Sequence, residues 1–263
     1  MKNPYCIDKS LEPEGVIYAM MILPGEFEDY DHNDKLECME ADAMKHIVNG
    51  EPYEGKRLLE ECYAMGDLRA GNILSYGYGH GWLGPRDYDK EVELLRQLVK
   101  KKYPPSMNNL GCDYLHGIGV KKSTKWAIYW FKKAAEQKFI PAIYELSLIY
   151  RYIEPYKDIE KGLLYTFWAA DYDDCNAHNQ LGNCYRKGIG MPKNEWMAFE
   201  HYEEAVEKGA GAFAEDNLFW CYYKGIGIEV DLERAEYYRK EAEKHGFEYI
   251  DSRKQNDTGQ SNK

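Results

Sequence analysis

The chain has 263 residues, 44% of them hydrophobic, and a formal net charge of −11 at pH 7. That is enough apolar material for a continuous core, while no stretch approaches the roughly 18 apolar residues of a membrane span. The acidic balance, with no basic stripe to neutralise phosphates, disfavours nucleic acid as a partner.

Residues 1–35 fit no repeat and read as an acidic capping segment. Within them Val16 to Leu23 is an apolar run between Pro13 and Pro24. Glu12 and Glu14 precede it, with no basic cluster, whereas a secretory leader opens with positive charge. A segment that covers the apolar end of a repeat array is the expected role. Residues 1–60 hold fourteen Asp and Glu against six Lys and Arg, a balance of −8 that leaves −3 for the other 203. The densest part, Glu26 to Asp31, is a solvated face or a docking patch for a basic partner.

From Leu36 the chain becomes periodic, with one partial unit to Gly66 and five full ones to Gly246. Leu74, Leu110, Leu146, Leu181 and Leu218 form one column with steps of 36, 36, 35 and 37 residues. Tyr78, Tyr114, Tyr150, Tyr185 and Tyr222 keep step with it. Self-similarity at such a period marks units that cannot bury an apolar face alone and must stack on their neighbours. Within each unit, residues such as Ser106, Leu110 and Tyr114 fall at i, i+4 and i+8, the stripe of a first helix, A. Pro105 and Pro141 mark helix starts. Gly117-Ile-Gly119, Gly188-Ile-Gly190 and Gly225-Ile-Gly227 supply the positive φ of a helix end and tight turn. Asp87, Ser123, Asp158, Asn194 and Asp231 are then N-caps of a second helix, B. Small residues seven apart, as in Ala127 and Ala134 or Ala198 and Ala205, let helix B approach its neighbours closely. Glu91 is the exception in that small-residue column.

The pattern Ala-x-x-x-Leu-Gly-x-x-Tyr-x-x-Gly-x-Gly, then Asp or Asn, then Ala-x-x-x-Tyr/Phe-x-x-Ala resembles the Sel1-like repeat, a relative of the tetratricopeptide repeat. The resemblance implies an all-α, right-handed superhelical solenoid of antiparallel helix pairs over residues 36–246. It also implies a non-enzymatic interaction scaffold. Two turns depart from the family pattern: Arg151 to Tyr156 replaces the double glycine, and Gly77 to Gly84 forms a longer glycine-rich loop around Trp82. Residues 247–263 read as a disordered polar tail.

Catalytic signals dissolve into the repeat. The Gly77–Gly84 loop has no following Lys-Ser/Thr and no preceding strand, so it is no phosphate loop. The seven histidines and seven cysteines show no metal-ligand spacing, and no cofactor is expected. The cysteines do not keep the repeated pairing of a disulfide-stapled Sel1-like subgroup, which points to free thiols and a cytoplasmic setting. His80 and His116, 36 residues apart, occupy equivalent positions on successive A helices.

If helix A lines the concave wall, as the resemblance implies, its non-core positions face the groove. The expected partner-binding residues are Asn72, Tyr76, His80, Asn108, His116, Tyr144, Arg151, Tyr152, Asn179, Asn183, Arg186, Lys187, Trp220, Tyr223 and Lys224. Tyr, Trp, Arg and Asn predominate in this set, the bias of interface hot spots and of grooves that grip an extended backbone. Asn179, Asn183, Arg186 and Lys187 suit a peptide carrying carboxylates. Two roles follow: an adaptor holding a peptide or helix of another protein, or a dedicated inhibitor such as an immunity protein that covers a toxin.

Overall fold

The computed structural model describes residues 34–247. The capping segment, apart from its last two residues, and the polar tail after Phe247 lie outside the described residues. Those described form twelve α-helices and no strand. They are α1 (Asp34–Val48), α2 (Pro52–Ala64), α3 (Leu68–His80), α4 (Tyr88–Lys100), α5 (Pro104–His116) and α6 (Thr124–Ala135), followed by α7 (Ile140–Tyr152), α8 (Ile159–Ala170), α9 (Cys175–Lys187), α10 (Glu195–Glu207), α11 (Ala212–Lys224) and α12 (Leu232–Lys244). They fall into two compact units: 34–174 holds α1 to α8, and 175–247 holds α9 to α12. Within each, every helix packs on the next in sequence. The partial unit at Leu36 is therefore a complete helix pair, α1 with α2.

The expected cap residues all start helix B. The side chains of Asp87, Ser123, Asp158, Asn194 and Asp231 accept bonds from otherwise unpaired amides of the first turn. Each cap also donates its own amide to the carbonyl of the column tyrosine before it. The distances are 3.0 Å to Tyr78, 2.7 Å to Tyr114, 2.6 Å to Tyr150, 2.9 Å to Tyr185 and 3.0 Å to Tyr222. This bond ties the last turn of helix A to the start of helix B. It survives at Asp158, although α7 closes on extended Ile153 (φ −105°) rather than on a left-handed glycine. That turn differs in shape, as its sequence suggests.

At the regular turns the two glycines have different tasks. Gly225 (φ +72°) caps α11 in the left-handed conformation. Gly227 (φ +76°) also lies against the first turn of α10, where a Cβ would sit 2.5 Å from the Glu195 carbonyl carbon and 2.9 Å from Trp196 Cα. The first glycine meets a dihedral demand, and the second meets that demand plus a close approach of two backbones.

The core follows the columns. Leu74, Leu110, Leu146, Leu181 and Leu218 are buried, as are the small pairs Ala127/Ala134, Ala198/Ala205 and Ala235/Ala242. Glu91, the exception among the small residues, is buried too, and Gly79 lies against its carboxylate, where a Cβ would collide. Burial pushes the Glu91 carboxyl up to about 8, with the neighbouring Asp113 charge adding to the rise. Burial likewise holds Asp113 up at about 7.

Cys38, Cys62, Cys112, Cys184 and Cys221 are free thiols, but Cys175 is disulfide-bonded. The expectation of free thiols throughout fails there. The missing repeat of cysteine pairs argued against a staple in every unit and had no bearing on a single bond.

Candidate functional site

Side chains on α9 and α11 bring six of the seven expected residues of the unit 175–247 together, all but Lys187. Gly182 on α9 has no Cβ, and the ring of Tyr202 from α10 lies directly against it; an added Cβ would stand 2.5 Å from the ring. That contact places the Tyr202 hydroxyl beneath the outer face of α9. The Arg186 Nε donates to it at 3.1 Å, and the hydroxyl donates to Asn183 Oδ1 at 3.1 Å. Burial pushes the Tyr202 phenol up to about 12 against the opposing pull of Arg186, so the hydroxyl stays a neutral donor. Asn183 Nδ2 donates to the Asn179 carbonyl at 3.1 Å, and Asn217 Nδ2 donates to Asn179 Oδ1 at 2.8 Å. This network positions the Arg186 guanidinium.

Above it opens a pocket of about 260 Å³ lined by Arg186, Asp216, Asn217, Trp220, Lys224 and Ile226. The Lys224 Nζ stands 4.2 Å from the Trp220 ring centroid, a cation–π contact. Trp220 also meets Phe219 and Tyr223, with centroids 4.8 and 5.8 Å apart. Trp220 and Tyr223 are exposed large apolar residues, 36% and 50% accessible. Lys187 is exposed at the end of α9. Two cationic side chains face one carboxylate, Asp216, beside an aromatic wall. Such a pocket can hold an anionic group next to an apolar one.

The other expected residues belong to the unit 34–174 and are less uniform. Arg151 is 1% accessible, the largest fully buried side chain, and lies against Gly162. It is core and not groove. Tyr152 beside it is 59% exposed, with its ring 5.0 Å from the Arg151 guanidinium. Asn72 is also buried, and its Oδ1 accepts from Ser106 Oγ at 2.7 Å and Asn109 Nδ2 at 3.1 Å. It ties α3 to α5 and is not available to a partner. Asn72 and Asn179 hold the same column position, as do their amide donors Asn109 and Asn217. The asparagines thus staple successive A helices, a use that residue type alone does not separate from peptide binding. Tyr76 stacks on His80 with centroids 3.6 Å apart, and Trp82 completes the cluster at 4.8 Å from Tyr76. Partial burial holds the His80 imidazole below its ordinary range. His116 is exposed, and Tyr144 and Asn108 are half-buried. Asn217 and Ile226 were missed by the sequence reading. Asn217 stands beside the column leucine Leu218 on α11, and Ile226 lies in the turn after that helix, where the periodicity of helix A no longer applies.

Antiparallel helix pairs at a period of 35 to 37 residues, capped and joined alike, define an all-α solenoid of repeats. Sel1 repeats match at residues 62–98, 104–139, 175–209 and 212–247, more than half of the chain, and the protein belongs to the Sel1 repeat family. This is a non-catalytic scaffold family whose repeats mediate protein–protein interaction. A Sel1 repeat protein from Oxalobacter formigenes superposes with a TM-score of 0.72 at 27% identity, over 79% of this chain and 84% of that one. An immunity protein from Pseudomonas aeruginosa shares the fold, with a TM-score of 0.60 at 19% identity over 85% and 87% of the two chains. Among curated relatives, an uncharacterized protein of Neisseria meningitidis is 28% identical over 62% of this chain and 34% of its own length. An ERAD-associated E3 ubiquitin-protein ligase component of Arabidopsis thaliana is 28% identical over 40% of this chain and 17% of its own. The chain thus spans 34% and 17% of the length of those relatives. Among the described residues, no helix is long and apolar enough to cross a membrane.

Proposed function

We propose that this chain is a non-enzymatic adaptor that binds a peptide or helix of another protein across α9 and α11, with a carboxylate of the partner in the pocket. The observation that carries the reading is the pocket itself: Arg186 held by Tyr202 and Asn183, opposite Trp220 and Lys224. A pre-positioned guanidinium loses less entropy on binding than a mobile one, and interface energy concentrates in such arginine and tryptophan anchors. The ERAD-associated relative is a component of a larger assembly, which agrees with an adaptor role. The inhibitor reading has immunity proteins among its fold neighbours, but a likeness at 19% identity speaks for the fold alone. Its acidic docking segment, Glu26 to Asp31, lies outside the described residues. A cytoplasmic setting is part of the proposal; the five free thiols favour it and the disulfide at Cys175 weighs against it.

The test is a random peptide display selected on the full chain. Selected peptides are then titrated against wild type, Trp220→Ala and Lys224→Glu. Both side chains are exposed, so melting should be unchanged. A consensus pairing a carboxylate with an apolar residue is expected, with at least a tenfold loss in each variant, about 1.4 kcal/mol. Equal affinity for all three proteins would place the binding surface elsewhere.

A further inference from the structure

A second cluster in the unit 175–247 stands apart from the pocket and breaks the column pattern. Three residues before each column leucine the early repeats carry Gly71, Met107 and Ile143; the last two carry His178 and Glu215. Ten residues after each cap the early repeats carry Gln97, Lys133 and Trp168; the last two carry Glu204 and Glu241. An ionisable pair therefore replaces apolar or unrelated residues at one place between helices A and B, in those two repeats alone of the five.

In the first of these repeats, the Nδ1 atoms of His178 on α9 and His201 on α10 lie 3.3 Å apart. The Glu204 Oε2 is 2.7 Å from the former and 3.1 Å from the latter. A tetrahedral zinc ion with bonds of about 2.0–2.1 Å holds its ligand atoms about 3.3 Å from one another; the two edges at His201 fall near that value, and the 2.7 Å edge between His178 and Glu204 is shorter and would open on binding. A point about 2.05 Å from all three atoms lies roughly 1 Å off their plane, so one ion reaches all of them without backbone movement. His178 is buried, while the Glu204 side chain is 47% exposed and leaves an open side for entry and for a water ligand. The His201 ring is set by stacking on Tyr185, with centroids 5.4 Å apart and planes 12° from parallel. An oriented imidazole of this kind is what outer contacts supply at metal sites.

We propose that His178, His201 and Glu204 bind one borderline divalent cation of the zinc class, which cross-links α9 to α10. Two imidazole nitrogens and one carboxylate oxygen select zinc, cobalt, nickel or copper over calcium and magnesium, which take oxygen ligands. The neighbouring cluster of Glu215, Glu241 and His245 offers only one nitrogen. One of its two carboxylates, Glu241, also pairs with Lys244 at 3.3 Å. It serves as the internal control. The proposal is independent of the peptide pocket.

The experiment uses untagged full-length protein stripped with a chelator, and titrates zinc chloride by calorimetry and cobalt chloride by visible absorption. Wild type should take up one equivalent of zinc, show the visible bands of four-coordinate cobalt, and melt at a higher temperature with metal than without. His201→Gln and Glu204→Gln should each weaken zinc at least tenfold and abolish the cobalt bands. The metal-free melting of Glu204→Gln should match wild type, since that side chain is half exposed and glutamine preserves its shape. Glu215→Gln should bind as wild type does. No cobalt bands in wild type, or bands and affinity retained in a folded Glu204→Gln, would overturn the site, as would loss in Glu215→Gln alone.

Discussion

Gly188 and Gly227 offer a controlled pair for separating dihedral strain from backbone contact. Both lie in the unit 175–247, at φ +68° and +76°. A Cβ on Gly188 would meet Lys193 and Met191 at 3.5 Å, ordinary contact. A Cβ on Gly227 would fall 2.5 Å from the Glu195 carbonyl carbon, and that carbonyl belongs to the first turn of α10 and cannot rotate away. Gly188→Ala therefore carries only the left-handed penalty, about 1–2 kcal/mol. Gly227→Ala carries that penalty plus an overpacking cost of about 1–3 kcal/mol, for roughly 2–5 in all. Urea unfolding of the full chain, followed by far-UV circular dichroism, measures both. Gly227→Ala should have the lower midpoint at equal slope. Equal midpoints would mean that the second glycine of the turn is there for its φ alone, and the close approach to α10 would have to be abandoned.

The other expectations are simpler. Glu91 takes a folded-state pKa of about 8 against an ordinary 4.5, so the folded chain holds a proton the unfolded chain releases. Its contribution is complete below about pH 4.5 and disappears as pH rises toward 8. Melting temperature should fall from pH 5 to pH 8, and Glu91→Gln should make that fall shallower, the remainder coming from buried Asp113 and Glu40, whose carboxyls are also held up; an unchanged slope would show that the Glu91 carboxyl is solvated. Asp231 accepts from the amides of Glu233 at 3.0 Å and Arg234 at 2.9 Å, so Asp231→Ala should cost about 1 kcal/mol in a denaturant titration. Arg151→Ala should destabilise by roughly 2–4 kcal/mol while Tyr152→Ala leaves melting within error, since one is 1% and the other 59% accessible. The reverse order in a thermal scan would return Arg151 to the surface.

Helix starts, helix ends, caps and the buried columns were determined by the sequence itself, because each rests on chemistry within a few residues. An aspartate reaches the amide three places on, a glycine takes its own φ, and a leucine recurring every 36 or so residues must be buried in every copy or in none. The repeat multiplied each weak signal. What the sequence left undecided depends on distances between helices. Asn72 and Asn179 read as peptide-gripping amides until the next A helix brought up Asn109 and Asn217 to bind them. Arg151 follows a run of surface candidates by position, yet the Gly162 column leaves room that its side chain fills. His178 and Glu204 stand 26 residues apart, outside any ligand-spacing rule, and meet only because α9 and α10 pack antiparallel. Local propensity fixes the elements; which polar side chains become staples, core or binding groups is decided when one helix supplies the partner that another lacks.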